Sequence, residues 1–558
     1  VNKVAVFGLD GATFSIIRPA VEGGLLPNLG ALLREGAYGE LESTIPPITA
    51  AAWTTFQTGV NPGEHGAFDW LVRESGSYHL RPISATMIRQ PRLWDYIGRQ
   101  GGRVGIVGLP ITYPPQPVNG FLICGLLTPP GGRWTYPEGL AAELEAHVGQ
   151  FPFMPDHWPG RYQVREWLAG LKRGIGQRAR VALHLLRRYD WDLFILHFME
   201  TDSVQHQMWH LRDGIPRPAY RVEVEGDPIL EVYREVDRAL GDLLAELPPS
   251  TRVFVISDHG FGPLYWNLYI NIWLLREGYL RLRRGPKTKL RLAALRLGLT
   301  QERLFPWGER LRLLGQGSRL SWGELRELLG RFFLSFADVD WRRTRAYSHG
   351  NIGQIYLNMR GREPEGIVSA VEAEGLIEEL AAGLRALRNP WNGELVVERL
   401  YRKEELYHGK ALPQAPELIF LPKRGYMVLG TTDFPANRVI TPAFAGSGWH
   451  ELEGVLIASG PGLVQGEVRG ARLIDLPPTI IYAMDLQVPA GLEGRPLLEL
   501  FQARTRSQGR TGAYRKCEPE PEPELHKPRL PAEPEPEEPE GHDWEEQARK
   551  RLRDLGYI

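Results

Sequence analysis

The chain has 558 residues, 43% hydrophobic and 24% charged, and its 66 Lys and Arg against 67 Asp and Glu leave a net charge of −1. That length holds roughly three to four domain-sized units, or one large α/β domain with insertions, and the charge balance gives no reason to expect a general nucleic-acid or membrane binder. Two cysteines, Cys124 and Cys517, cannot make a disulfide framework or a cysteine-rich zinc site. The opening VNKVAVFGLDGAT lacks the apolar core of a signal peptide. No apolar run reaches the ~18 residues of a bilayer span, so a soluble, cytoplasmic protein is expected.

In chain order, four short apolar runs stand out: Val4–Leu9, Val104–Leu109, Leu193–Phe198 and Val253–Ile256. Each is nearly continuous rather than alternating, as in strands buried on both faces of a parallel sheet. Helical patterns such as Leu140–His147 and Val164–Arg188 lie between them, and the alternation predicts a doubly wound, mostly parallel α/β sheet with helices on both faces. Residues 266–345 read as an inserted helical cap, with Asn271–Leu282, Leu290–Leu297 and Ser321–Phe333 as helices. Its arginines (Arg276, Arg281, Arg283, Arg284, Arg291, Arg296) could meet anionic lipid, polyphosphate or nucleic acid, although a solvated face is the plainer reading. Mixed α/β character returns with strands at Gln354–Asn358 and Glu417–Leu421, and 362–450 reads as a small α/β subdomain. The main domain closes near 501. From 502 to 541 the chain becomes Pro- and Glu-rich and reads as a disordered linker. In the closing segment 542–558, Trp544, Ala548, Leu552 and Leu555 fall near helical spacing, so one helix face could dock on this chain or on a protein partner.

Function is written at the strand ends. Asp10 follows the first apolar run, Glu200 and Asp202 the third, and Asp258 with His259 the fourth. Ligands of open α/β sheets sit beyond the carboxyl ends of the strands, so separate segments deliver carboxylates and imidazoles to one sheet edge. In SDHGFG, Asp258 and His259 form a ligand pair suited to Zn²⁺ or Mn²⁺. In ETDSVQHQMWH, Asp202 and His206 lie one helical turn apart and can share an ion; His210 continues the spacing as a rival, and a capped, solvated helix start is the alternative. Thr49 stands at or just before a helix expected from Ala50 to about Gln57, where free N–H groups suit a phosphate or sulfate; a plain N-cap is the alternative. Together these residues suit in-line displacement at phosphorus supported by two metals.

In GLDG at 8–11, ITAAAWTTFQTG and NPGEHG between 48 and 66, ETDSVQH at 200–206, SDHGFG at 257–262 and GWHELEGVLIASGPG at 448–462, residues 1 to about 500 resemble the alkaline phosphatase superfamily, and within it the type I phosphodiesterases/nucleotide pyrophosphatases. The resemblance implies an alkaline phosphatase-like fold and Thr49 as nucleophile. It implies Asp10, Asp258 and His259 as ligands of one divalent ion that also contacts the Thr49 oxygen. It implies Asp202, His206 and His450 as ligands of a second, with Zn²⁺ or Mn²⁺ in both places. His450 enters through the resemblance alone. The implied activity is hydrolysis of a small phosphodiester or pyrophosphate through a phospho-threonine intermediate. A phosphomonoesterase or phosphotransferase with the same centre, and an idle scaffold of the same fold, are the alternatives. The family's nucleotide pyrophosphatases carry an Asn at the end of the loop after the nucleophile helix. Here HGAFDW puts Trp70 in that place, a departure that bears on nucleotide specificity. His65 in NPGEHG reads as support for the nucleophile helix, and RRTRAYSHGNIG at 342–353 could touch an anionic substrate or be a solvated loop.

Overall fold

The computed structural model describes residues 1–153, 163–215, 224–304, 333–502 except 432 and 445, and 541–554. The four apolar runs are strands Val4–Leu9, Val104–Leu109, Leu193–Phe198 and Arg252–Ile256. With Gly120–Cys124 they form five consecutive parallel strands, in the order 252–256, 4–9, 193–198, 104–109, 120–124. Strand Glu453–Ser459 adds antiparallel to Arg252–Ile256 and pairs in turn with Ala37–Glu42, and the short strand Thr135–Tyr136 closes the other side. Every residue of the four runs is buried. Alternation along the first strand sends Ala5, Phe7 and Leu9 into one apolar cluster and Val4 and Val6 into the other, so the sheet is covered on both faces, as the continuous apolar runs require. Helices Leu140–His147 and Val164–Arg188 form as expected; the longer one places Trp167, Leu171, Ile175, Ala182 and Leu185 on a single buried stripe.

Beyond the sheet edge, one apolar cluster joins helix Ile270–Glu277, helix Pro286–Arg296, strand Gln354–Leu357, helix Ala370–Arg385 and strand Leu418–Pro422. Strand Trp266–Tyr269 pairs with Tyr426–Leu429 and Ile440–Pro442, so segments far apart in sequence share this core. The expected helix Asn271–Leu282 ends early at Glu277 because Gly278 takes a left-handed conformation. The expected helix Leu290–Leu297 starts earlier, with Pro286 in its first turn. The Ser321–Phe333 expectation falls, but for Phe333, outside the described residues, as do 503–540 of the Pro/Glu-rich linker and Leu555 of the closing segment.

Helix Gly541–Asp554 docks on the main body. Trp544, Ala548 and Leu552 are buried in the cluster that also holds Ile48, Ala50, Ala51 and Trp70. Trp544 Nε1 donates to the Leu127 carbonyl at 3.3 Å, and Arg551 donates to the Thr128 carbonyl. No helix among the described residues is long and apolar enough to cross a membrane.

Candidate metal centre

The carboxyl ends of three neighbouring strands carry the site. Asp10 follows Val4–Leu9, Glu200 to Asp202 follow Leu193–Phe198, and Asp258–His259 follow Arg252–Ile256. His450 arrives on strand Gly448–Glu451, paired opposite Phe261. Thr49 is the first residue of helix Thr49–Thr58, one position earlier than its expected start, and is fully buried. The first N–H of that helix to find a backbone acceptor is that of Ala52, on the Ile48 carbonyl at 2.9 Å. The N–H groups of Thr49, Ala50 and Ala51 have no backbone acceptor among the described residues, and the positive end of the helix dipole is at Thr49.

Two ligand groups result. Asp10, Asp258 and His259 come together, with His259 Nε2 3.5 Å from Asp10 Oδ1, 3.4 Å from Asp258 Oδ2 and 3.3 Å from Thr49 Oγ1. Asp202 Oδ1 lies 3.3 Å from both His206 Nε2 and His450 Nε2, which are 3.1 Å apart. His259 reaches this second group as well: with Asp202 and His450 it could share an ion, and its ring stacks on His450 at 3.7 Å. Six of the seven expected residues thus offer ligand atoms to two adjoining positions, and Thr49 faces the first. His210 is elsewhere, with its N–H and Nδ1 on the Ser447 hydroxyl.

The donor set fits divalent cations, and the imidazole tautomers say why. Nδ1 of His259, His206 and His450 each faces a backbone carbonyl, those of Gly260, Gly448 and Pro47, at 3.0, 3.2 and 3.0 Å. A carbonyl only accepts, so each Nδ1 carries a proton, and in the neutral ring each Nε2 is the atom left to present a lone pair to a cation. Those lone pairs converge on carboxylate oxygens, and Asp10 Oδ1 and Asp258 Oδ2 are buried and accept no hydrogen bond among the described residues. Converging acceptors with no proton between them are stable around a cation, and N/O donors at these separations suit Zn²⁺ or Mn²⁺. Titration points the same way. Burial, then the charge of Asp10, pushes the Asp258 carboxyl well above its usual range, a strain that a cation would relieve. Burial opposes the charged form of Asp202, yet His206 and His450 hold its carboxyl well below the usual range. Burial lowers His450, and burial with His450 lowers His259 to about 3. A cation at this place would replace the protons of those imidazoles as the partner of anionic Asp202.

The residues that aim these ligands were not evident in the sequence. Asp10 Oδ2 accepts from Trp53 Nε1 and His197 Nε2, both at 2.9 Å, which leaves Oδ1 facing the site. Trp53 lies one turn after Thr49, so the same helix presents the hydroxyl and orients the carboxylate. Its ring meets His197 edge-on at 4.9 Å, and a Cβ on Gly8 would come within 2.6 Å of it, so the strand passes here as glycine. Thr201 Oγ1 donates to the Asp10 carbonyl at 2.6 Å and Gln205 Nε2 to that of Gly11 at 2.8 Å, tying the helix of Asp202 and His206 to the Asp10 turn. A buried ion pair, Arg178 Nε to Glu200 Oε1 at 2.9 Å, holds the start of that helix. Replacing Trp53 by Phe keeps most of the ring and removes one donor to Asp10. Metal affinity at the Asp10 group is expected to fall about tenfold or more, measured by competition with a chromophoric chelator, and the melting temperature to fall as well, because the smaller ring leaves a void in a fully buried place.

The loop after helix Thr49–Thr58 is built on its own terms. His65 Nδ1 accepts from the Ala67 N–H and its Nε2 faces Thr55 Oγ1 at 2.9 Å, so His65 braces the helix and burial lowers it to about 3. Trp70 is buried in the apolar cluster beside Ile48. Asp69 accepts from the N–H groups of Trp70 (2.6 Å) and Asn351 (3.2 Å), joining this loop to 348–353, where His349 stacks on Tyr356 at 4.1 Å. Burial raises Asp69 to about 7 against these two hydrogen bonds. Its folded value therefore exceeds the unfolded value of about 3.9, and folding takes up a proton. That contribution is complete below pH ~4 and is lost as pH rises towards 7. Asp69→Asn is expected to flatten this loss, worth a few kcal/mol at about 1.4 kcal/mol per unit; urea unfolding of both proteins at acid and neutral pH measures it.

No curated protein sequence matches this chain. Solved structures with a similar chain path include phosphonoacetate hydrolase from Sinorhizobium meliloti 1021 in complex with phosphonoacetate, at 14% identity over 87% of this chain and 95% of that one, with a TM-score of 0.47. Murine ectonucleotide pyrophosphatase / phosphodiesterase 5 aligns at 13% identity over 90% of this chain and 100% of its own, with a TM-score of 0.49. The human protein of the same name aligns at 11% identity with the same coverage and a TM-score of 0.47. The family model for type I phosphodiesterase / nucleotide pyrophosphatase matches residues 4–438, and the chain belongs to that family.

Proposed function

We propose that this chain is a two-metal phosphohydrolase that cleaves small phosphodiesters or pyrophosphates through a covalent intermediate on Thr49. Family membership supplies the hydrolysis of phosphoester bonds. The observation that carries the finer reading is the convergence of three buried carboxylates and three Nε2 lone pairs beside the Thr49 hydroxyl. Asp10, Asp258 and His259 would hold one ion, and Asp202, His206 and His450 the other. Zn²⁺ or Mn²⁺ bound there would supply Lewis-acid stabilisation of charge on the nucleophile and on the phosphoryl oxygens.

The chain's own part is positional. Burial of Thr49 keeps competing water from its hydroxyl, and the N–H groups of Thr49, Ala50 and Ala51 face the charge that grows on phosphoryl oxygens. Attack by Thr49 Oγ1, which gives up its hydroxyl proton, forms an O–P bond while the bond to the leaving oxygen breaks, and the leaving alkoxide or phosphate departs with its bonding pair and takes up a proton from solvent. Water then hydrolyses the threonyl ester, so one water is consumed per turnover. With metal-loaded protein, bis-p-nitrophenyl phosphate is expected to be hydrolysed faster than p-nitrophenyl phosphate. Faster turnover of the monoester would favour a phosphomonoesterase with the same centre. A folded protein that binds no metal and turns over neither ester would make it a scaffold.

A further inference from the structure

The segment around helix Pro286–Arg296 takes no part in the site, and its surface is unusual in two respects. Between 276 and 304 there are nine Lys or Arg and two Glu. Four of the ten large apolar side chains left exposed among the described residues lie at 290–304: Leu290 at 73%, Leu297 at 77%, Leu299 at 54% and Leu304 at 38%.

The helix has two apolar stripes. Thr288, Leu292 and Leu295, spaced i, i+4, i+7, face the apolar cluster of the surrounding domain. Leu290, Ala293 and Leu297, spaced i, i+3, i+7, lie on the opposite side. At 100° per residue, Lys289 and Arg296 fall on one flank between the stripes and Lys287 on the other. Lys287, Lys289 and Arg296 are exposed, and no carboxylate pairs with them among the described residues. A face meant for water has no use for a leucine stripe, and a face meant only for a polyanion needs the cations without the leucines. Leucines with cations on either flank are the pattern of a helix lying at a bilayer interface, its apolar side chains among the acyl chains and its cations at anionic headgroups.

We propose that the surface of 284–304 docks on anionic lipid membranes, with Leu290 and Leu297 inserted and Lys287, Lys289 and Arg296 at the headgroups. The occupant is a lipid bilayer because charge complementarity and the exposed leucines demand an anionic and an apolar partner together. This inference stands apart from the catalytic reading and survives if that reading fails.

The test is co-sedimentation of the full-length protein with vesicles of phosphatidylcholine alone and of phosphatidylcholine with an equal amount of phosphatidylglycerol. Binding is expected to the mixed vesicles only, and added salt should weaken it. Leu290→Glu/Leu297→Glu and Lys287→Ala/Lys289→Ala/Arg296→Ala are each expected to lower the vesicle partition coefficient at least about tenfold. These positions are exposed, so unchanged melting temperatures should confirm that the variants fold. Absence of binding to the mixed vesicles overturns the proposal. So does undiminished binding by the leucine variant, which would mark a surface for polyanions in general. A change of oligomeric state in the leucine variant with vesicle binding intact would assign the stripe to a second copy of the chain, and overturns it too.

Discussion

Thr49→Ala is expected to lower hydrolysis of bis-p-nitrophenyl phosphate at least about a thousandfold, with fold and metal content kept. In the proposed reaction Thr49 is the nucleophile, and loss of a nucleophile that works as part of a unit leaves only the contribution of binding and of oxyanion stabilisation. The change is confined to one buried side chain: Ala keeps the helix, and the helix is held by contacts that do not involve the hydroxyl, such as Trp53 to Asp10 and His65 to Thr55. The six carboxylates and imidazoles proposed as ligands stay in place, so metal content after gel filtration should match that of the wild type. Steady-state kinetics and metal analysis on the same preparation check both halves. A loss of activity accompanied by loss of metal would say that Thr49 is needed as a ligand and would leave its nucleophilic role without support.

Asp202→Asn is the second large effect. Asp202 lies within reach of both His206 and His450, at 3.3 Å from each Nε2. The amide keeps the shape and removes the charge, leaving two neutral imidazoles to hold a dication. Affinity at the second position should fall more than ~100-fold, beyond what loss of an outer hydrogen bond costs. Diester hydrolysis should fall with it. The helix should survive, because Thr201 and Gln205 still tie it to the Asp10–Gly11 turn and Arg178 still pairs with Glu200. Metal analysis is expected to show about one ion per chain lost; full retention of both would contradict the ligand assignment.

The legible part of this protein is the part governed by local pattern. Strands buried on both faces read as apolar runs, and the polar residues just past the first, third and fourth runs lie by topology at the ligand edge, which is why Asp10, Asp202 and Asp258 could be named as candidates from the sequence. His206 followed from helical spacing. His450 could not be reached that way, because strand Gly448–Glu451 is placed by pairing with Gly260–Pro263 almost two hundred residues earlier, and it lies beyond the family match at 4–438. Trp53 and His197 were hidden for another reason. A tryptophan in a buried helix and a histidine in a buried strand look like core, and only the tertiary meeting at Asp10 Oδ2 shows them as donors. The periodicity of Trp544, Ala548 and Leu552 announced a docking face; that this face meets the cluster next to the Thr49 helix is a fact of packing.

The most direct measurement is rapid acid quenching of metal-loaded enzyme with excess bis-p-nitrophenyl phosphate, followed by mass analysis of its peptides. The account predicts a p-nitrophenyl phosphoryl adduct on the peptide containing Thr49, absent from Thr49→Ala and formed no more slowly than turnover. Release of p-nitrophenol at the full rate with no adduct on that peptide, or with the adduct on another residue, would contradict it.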